Sequence, residues 1–573
     1  MKRFIALVAI PTLLALGLTG CSASSIVSDS EISIAQVNAF DSFNADVSTA
    51  IDAQQVNSEI SYLTTPSFYY TDASGDLIAN EEFGSVLVEE KSSGPLVTFK
   101  LNGSVKWSDG IALDESDLLL SWLAAVDPTD AGFNSIRSSS GLKFSLPQDC
   151  KATNCESLSF QYSQGVPDAV TSLKISVPAH IVVQQAFKNE NYSAAEAKAL
   201  IYDLALNPEA GKLKKIAKIY SESFAADNSV IENALLVSAG PYVVTEVSVG
   251  EFLTLKANPD FSWGQKPVVE TINIKFFKDA AEMLGAVQDG QVDIAAPEES
   301  GILKNDDIAS LISSMSAEGV KSFVQPSNFI EQVQLNFGER SVFATDSSLR
   351  LAFLSLIPKT KIFQTIGAAS GIRDVRSFVY PSSSGFYDPV IQSNGSDAYI
   401  IQEAEKAQEL LLATKRELPV VIRVVFDTDN PRAQIEWSLL NERALAAGFE
   451  LVNLASEDPS VTLERGAYDV FIGVGPLVGT AEGDPLRLIG NPLTNFTSET
   501  ISELLSLYAA EQTPIEAADL LKQVDAELFA AGYGLPLYQI PSIVVYSKNL
   551  TNLVPAPFGH SATWGYWNWA LSR

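Results

Sequence analysis

Val97-Thr98-Phe99-Lys100-Leu101, Lys106-Trp107-Ser108-Asp109-Gly110 and Leu113-Asp114-Glu115-Ser116-Asp117 follow closely on one another, and each specifies a different kind of structure. The first alternates apolar and polar residues, as a half-buried strand does. The second is a turn punctuated by glycine. The third opens a helix running from Leu118 to Ala125, because carboxylates favour the positive end of a helix dipole. Outward from this block, strands and helices alternate irregularly. Gly240-Pro241-Tyr242-Val243-Val244 opens a strand that pairs with Phe252-Leu253-Thr254-Leu255-Lys256, and Ile272 to Phe276 is another. Ala280 to Gln288 is helical and ends at Asp289-Gly290. Asp397 to Arg416 is predicted as one long amphipathic helix, Val420 to Phe426 as an apolar strand, and Asn430 to Ala447 as a helix closed by Gly448. The pattern is mixed α/β without a short internal repeat.

The chain has 573 residues, enough for more than one domain, and 46% of them are hydrophobic, enough for real cores. Its formal net charge is −31, which repels nucleic acid and anionic lipid and leaves cationic or zwitterionic ligands compatible.

Met1-Lys2-Arg3 precedes an apolar run from Phe4 to Leu18 and then Leu18-Thr19-Gly20-Cys21. A basic start, a short apolar stretch and small residues before a cut describe a secretory leader, here residues 1–20. The stretch is shorter than the roughly 20 residues a spanning helix needs. Leu-Thr-Gly-Cys resembles the bacterial lipobox, whose cysteine is acylated and becomes the new N-terminus. The alternative is an ordinary leader with an incidental Cys21. Residues 21–31, rich in serine and acid, read as a flexible tether. The body is therefore expected outside the cytoplasm, held to the cell membrane by lipid alone. There, Cys150 and Cys155 read as a local disulfide. A metal site is the rival, and it would need ligands beyond the two histidines, His180 and His560.

Several further segments fall in a fixed order: Val177-Pro178-Ala179-His180, Gly240-Pro241-Tyr242, Asn258-Pro259-Asp260-Phe261-Ser262-Trp263, Gln288-Asp289-Gly290-Gln291-Val292-Asp293, Asn336, Leu349-Arg350-Leu351-Ala352-Phe353, Tyr468-Asp469 and Leu535-Pro536-Leu537-Tyr538. Together with the opening block, they resemble the large extracellular solute-binding proteins of ABC importers, the peptide- and oligopeptide-binding family 5. The resemblance implies an α/β, two-lobed periplasmic-binding-protein fold (class II-like) with an extra inserted domain in lobe one. Lobe one would span residues 32–326 plus 541–573, with the insertion at about 65–178, and lobe two residues 327–540. The first crossing is expected near Val324 to Asn336 and the return near Leu535 to Ile540.

The resemblance also implies a ligand held between lobes that close on a hinge, largely by backbone hydrogen bonds, as an added strand. Its cleft-facing segments fall on Gln54-Gln55-Val56-Asn57, on Gly473-Val474-Gly475-Pro476-Leu477, and on Tyr538 to Ile540. Gly473 and Gly475 would let a ligand backbone approach closely; a plain turn between strand and helix is the alternative. Asp427 could supply a carboxylate. The family often places Gly-Trp and then an acid in the loop after Tyr468-Asp469, the acid pairing with a peptide ammonium. Here that position falls on Val478 or Ala481, and Glu482 is the nearest substitute. Trp107, Gly110, Gly240, Pro241, Tyr242 and Trp263 read as turn and core residues.

No Gly-x-Ser-x-Gly elbow, His-Glu-x-x-His pair or phosphate loop occurs, so the chain is not expected to be an enzyme, and no cofactor is expected. The expected partners are a peptide or other small solute and a membrane complex of ABC permease and ATPase, with the receptor a monomer. The alternative is a sensor or surface-interaction lipoprotein on the same scaffold.

Overall fold

A computed structural model describes residues 26–37, 40–47, 51–72, 77–89, 91–139, 141–148, 157–163, 171–226, 233–296, 313–367, 372–400, 404–478, 485, 488–489, 494–510, 514–557 and 561–572. Cys21, Cys150, Cys155, Glu482, His560 and the side chain of Gln55 lie outside what is described.

One eleven-stranded sheet runs through both lobes. From one edge its path is Phe449–Asn453, Val420–Val425, Val470–Pro476, Lys321–Leu335, Gly534–Tyr546, Ile294–Ala295, Val27–Gln36, Val269–Phe276, Phe252–Ala257 and Tyr242–Ser248. Arg373–Asp374 pairs separately with Gly534–Tyr546. The two long central strands are antiparallel partners that pass from one lobe to the other. Their ladder shifts register between Pro326 and Ile330, where Pro326 stands opposite Pro541. Neither proline has an N–H to give, so the ribbon is least tied at this point.

Lobe two packs its helices on the sheet around Phe353, Ile422, Ile472 and Leu528. Lobe one has a core on the sheet around Ile32, Ile272, Val544 and Trp569. A second core lies under a separate four-stranded sheet of Gly84–Glu89, Leu96–Leu101, Leu158–Tyr162 and Ser145–Pro147. That core also takes in the helices Glu115–Val126, Ala179–Ala186, Ala194–Leu206 and Ala210–Glu222.

The opening block has a structural logic. Gly110 takes a φ of 87°, closing the turn after Trp107. Asp114 caps the helix Glu115–Val126 in a capping box with Asp117. The fully buried Trp107 indole donates to Asp117 Oδ2 at 3.3 Å, and Asp117 Oδ1 accepts the Ala179 N–H at 2.8 Å. His180 Nε2 meets Asp109 Oδ2 at 2.7 Å. Two motifs far apart in sequence thus clasp each other around a buried carboxyl that burial pushes above its usual pKa. Asn258 donates to Gly240 O at 2.9 Å and Trp263 to Ala239 O at 3.0 Å, so these landmarks also hold the scaffold.

Two expectations are revised. The first strand starts at Val27, inside the span read as tether. Ser30 and Asp29 are polar, yet Asp29 N–H donates to Glu270 Oε2 at 2.7 Å and Glu270 N–H to Ser30 Oγ at 2.8 Å. Polar composition did not prevent pairing because side chains of the neighbouring strand complete it. Asp397 to Arg416 is not one helix: a 3-10 turn, Ser396–Tyr399, precedes the helix Ala404–Ala413. Tyr399 leaves the helical stripe to pack its ring against Phe529.

Candidate functional site

In lobe two the strands Val420–Val425, Phe449–Asn453 and Val470–Pro476 are parallel. The last runs antiparallel to the first crossing strand, with Pro476 opposite Phe329, so the carboxyl ends of all three point toward lobe one. In lobe one Val27–Gln36, Val269–Phe276 and Ile294–Ala295 are parallel. Ala295 lies opposite Val545 on the return strand, so their carboxyl ends point toward lobe two. Ligand crevices in open α/β sheets form outside such strand ends. Here two sets face each other across one seam.

The floor of the seam on the lobe-two side is polar and buried. The helix Pro431–Ala444 starts there, capped by Asn430, whose side chain accepts the N–H groups of Arg432 and Ala433. Proline at the first helical position suits a helix start, since its missing N–H would have no partner there. Arg432 and Glu436 project from one face of this helix, one turn apart. Arg432 donates through Nε to Glu331 Oε2 of the first crossing strand at 3.0 Å, and its Nη2 lies at 3.0 Å from the same oxygen. Asn430 Nδ2 reaches Glu331 Oε1 at 3.4 Å. From the return strand, the Tyr538 hydroxyl donates to Glu436 Oε1 at 2.5 Å. Among the described residues, Glu436 Oε2 has no hydrogen-bond partner.

Burial, and then the charge of Glu331, push the Glu436 carboxyl well above its ordinary pKa, which favours its neutral form. Burial also raises Glu331, with Arg432 acting against it. Beside this group, Gln539 Nε2 donates to Ser327 O at 2.6 Å and the Ser382 hydroxyl lies 3.1 Å from Gln539 Oε1. Among the described residues no helix is long and apolar enough to cross a membrane, and no group of three or more candidate metal ligands is found.

The residues singled out from sequence fall in three places. Val56 and Asn57 sit on the helix Ile51–Thr64 in lobe one; Val56 is core, and Asn57 accepts the Asp41 N–H at 3.2 Å. Gly473, Val474, Gly475 and Pro476 are strand residues opposite Gln332, Glu331, Ile330 and Phe329. The close approach at Gly475 is made by this chain itself: a Cβ there would meet Gln332 Nε2 at 2.0 Å. Asp427 is half-buried just past its strand, beside Ser456, while Tyr538 and Ile540 are buried on the return strand. The structure therefore gathers Asp427, Pro476 and Tyr538 near the seam and leaves Val56 and Asn57 inside lobe one. Val478, one of the two positions read for the family acid, is buried, with its N–H on Phe378 O at 2.7 Å; the other, Ala481, lies outside the described residues.

Glu331, Arg432 and Glu436 escaped the sequence reading, whereas Gln539 lies within the stretch Tyr538 to Ile540 read as cleft-facing. The available signal was the i, i+4 spacing of Arg432 and Glu436 behind Asn430-Pro431.

The description "Bacterial extracellular solute-binding proteins, family 5 Middle" matches residues 83–485. The uncharacterized lipoprotein Rv2585c of Mycobacterium tuberculosis is 23% identical over 590 residues, covering 97% of this chain and 95% of that one. The structure of a periplasmic EDTA-binding protein, EppA, superposes with a TM-score of 0.75 at 17% identity, covering 96% of this chain and 98% of that one. The oligopeptide-binding protein AppA of Bacillus subtilis, in complex with a nonapeptide, gives 0.61 at 13% identity, with 95% and 99% covered. These likenesses give the fold as that of two-lobed periplasmic binding proteins, which bind solutes and are not enzymes. The chain belongs to the bacterial extracellular solute-binding proteins, family 5.

Proposed function

We propose that the protein is an extracytoplasmic lipoprotein, anchored through acylated Cys21, that captures a peptide between its lobes and delivers it to an ABC permease and ATPase complex. The observation that carries this reading is the meeting of parallel-strand carboxyl ends from both lobes over one polar floor. The nonapeptide held by the similar Bacillus protein and the lipoprotein name of the mycobacterial relative support it. In this reading lobe one is residues 32–326 plus 541–573, with its insertion at about 65–178, and lobe two is residues 327–540. Asp427, the strand end Gly473 to Pro476 and Tyr538 border the ligand in this reading, while Val56 and Asn57 stay inside lobe one. Asp427 is the acid to meet a cationic group, because Val478 offers no carboxylate where the family often has one.

Mass spectrometry of material released from the denatured protein, together with thermal shifts against a peptide library, tests this. Co-purified peptides and a raised melting temperature are expected. An empty protein that no peptide stabilises would refute the peptide reading. Val478 also favours a second reading, a sensor or surface-interaction lipoprotein. Under that reading, deleting any ABC permease genes that adjoin its own would leave the protein's phenotype unchanged.

A further inference from the structure

Gln332 stands on the first crossing strand, opposite Gly473. Alternation along a strand sends its side chain to the face opposite Glu331, away from the buried cluster around Arg432. Its amide leans toward the seam. A Cβ on Gly475, one residue short of the strand end at Pro476, would meet Gln332 Nε2 at 2.0 Å. On the same face, a Cβ on Gly473 would meet the Phe471 ring at 2.4 Å. The two glycines thus form a bare floor, with the ring laid over one and the amide over the other. We propose that Gln332 is a solute-binding residue whose amide takes the N–H and C=O of one residue of an extended peptide. The proposal rests on the reading that a peptide is captured in the seam.

The side chain is packed in and yet unspent. Gln332 is 6% exposed, and among the described residues neither end of its amide has a hydrogen-bond partner. Unlike Glu436 Oε2, neither amide atom is closed off from solvent. Other glutamines of the crossing ribbon are engaged. Gln334 Nε2 donates to the Tyr533 hydroxyl at 2.6 Å, and Gln539 is held between Ser327 O and the Ser382 hydroxyl. A half-enclosed amide with nothing to bond costs free energy that a ligand returns.

The class of group follows from what an amide carries. Gln332 offers N–H donors and a carbonyl acceptor side by side. In an extended chain the N–H and C=O of one residue point the same way, as they do across a hydrogen-bonded pair of an antiparallel ladder. Such a residue fills both ends of the amide at once. A carboxylate would use only the donors and an ammonium only the acceptor. Because main-chain groups are common to all peptides, this contact selects for an extended backbone and not for a sequence.

The mature protein is loaded with an equimolar mixture of hexapeptides, and those retained are identified by mass spectrometry. A retained peptide is then resynthesised with each main-chain nitrogen methylated in turn and titrated by calorimetry. Gln332→Met should bind the unmethylated peptide about tenfold more weakly than the wild type. One methylation should weaken the wild type about tenfold and the variant by less than about threefold, since the variant has already lost that contact. Thermal melts establish that the variant folds. If it melts early, Gly475→Ala, which displaces the amide without removing it, serves in its place with the same expected pattern. Undiminished binding by the variant, or an equal methylation penalty in both proteins at every position, would overturn the proposal and leave the peptide reading standing. A wild type that retains no peptide would overturn both.

Discussion

Replacing Arg432 by Met removes from the buried Glu331 carboxylate the cation that pairs with it. Glu331 is 0% exposed and receives both Nε and Nη2 of Arg432 at 3.0 Å; afterwards it keeps Asn430 at 3.4 Å and the Tyr538 hydroxyl, neither of them a cation. Met matches the aliphatic stem of Arg432 and opens little space, so the loss is electrostatic. Breaking a buried pair from one side costs about 3–5 kcal/mol, because the remaining charge is neither solvated nor matched. For a lobe of this size that is a melting-temperature drop on the order of 10 °C in the lobe-two transition. Differential scanning calorimetry of the mature protein, which separates lobes that melt independently, measures it.

The variant also predicts a pH dependence. Without its cation, Glu331 has a folded pKa raised further above the unfolded value of about 4.3. A carboxyl raised on folding contributes stability below the unfolded pKa and loses it as pH rises through the folded one. The Arg432→Met penalty should therefore shrink as pH is lowered toward 4 and be largest at pH 8. Glu331→Leu added to Arg432→Met should restore most of the loss, since an apolar pair leaves no orphan charge. A single variant that loses less than about 1 kcal/mol at neutral pH, or a double variant as damaged as the single, would refute the reasoning.

Glu436→Gln keeps an acceptor for the Tyr538 hydroxyl and removes a carboxyl that burial raises, so it should stabilise the protein at pH 8 and change little at pH 4, read from urea midpoints across pH. Trp107→Ala should destabilise the signature unit of lobe one by about 3–5 kcal/mol, visible as an earlier calorimetric transition, while solute binding per folded molecule is retained. Gly534→Ala sets a Cβ 2.3 Å from the Val333 carbonyl oxygen, which cannot yield, and should cost about 1–3 kcal/mol. Gly475→Ala meets only the movable end of Gln332 and should cost less in the same denaturant assay.

The scaffold was legible because its landmarks are local. Trp107-Ser-Asp-Gly110 makes its own turn, and Asp114 caps its own helix. The floor of the seam was not. Along Phe329-Ile330-Glu331-Gln332-Val333-Gln334-Leu335, Glu331 falls on the alternate positions of Phe329, Val333 and Leu335 and breaks an apolar face, and the pattern names no partner for it. Glu331 is dry because its strand is flanked by two others and lies under the start of a helix, a tertiary arrangement no local pattern carries. The misread tether has the converse cause: Ser28, Asp29 and Ser30 have loop composition and form a bulge between the Val27–Val269 and Glu31–Thr271 pairs, tied to the next strand through Glu270.

That early start of the first strand has a consequence for posture. With Cys21 as the proposed anchor, six residues reach Val27, a contour of at most about 20 Å. The ten-residue strand that follows then travels roughly 33 Å before delivering its carboxyl end to the seam. Such a leash would join the end of the first strand opposite the seam, and it would be shorter than the strand it feeds. Standing upright, the receptor would hold its mouth well off the bilayer. To present both lobes to a membrane partner at once it would have to lie over on its side, pivoting about a short stem.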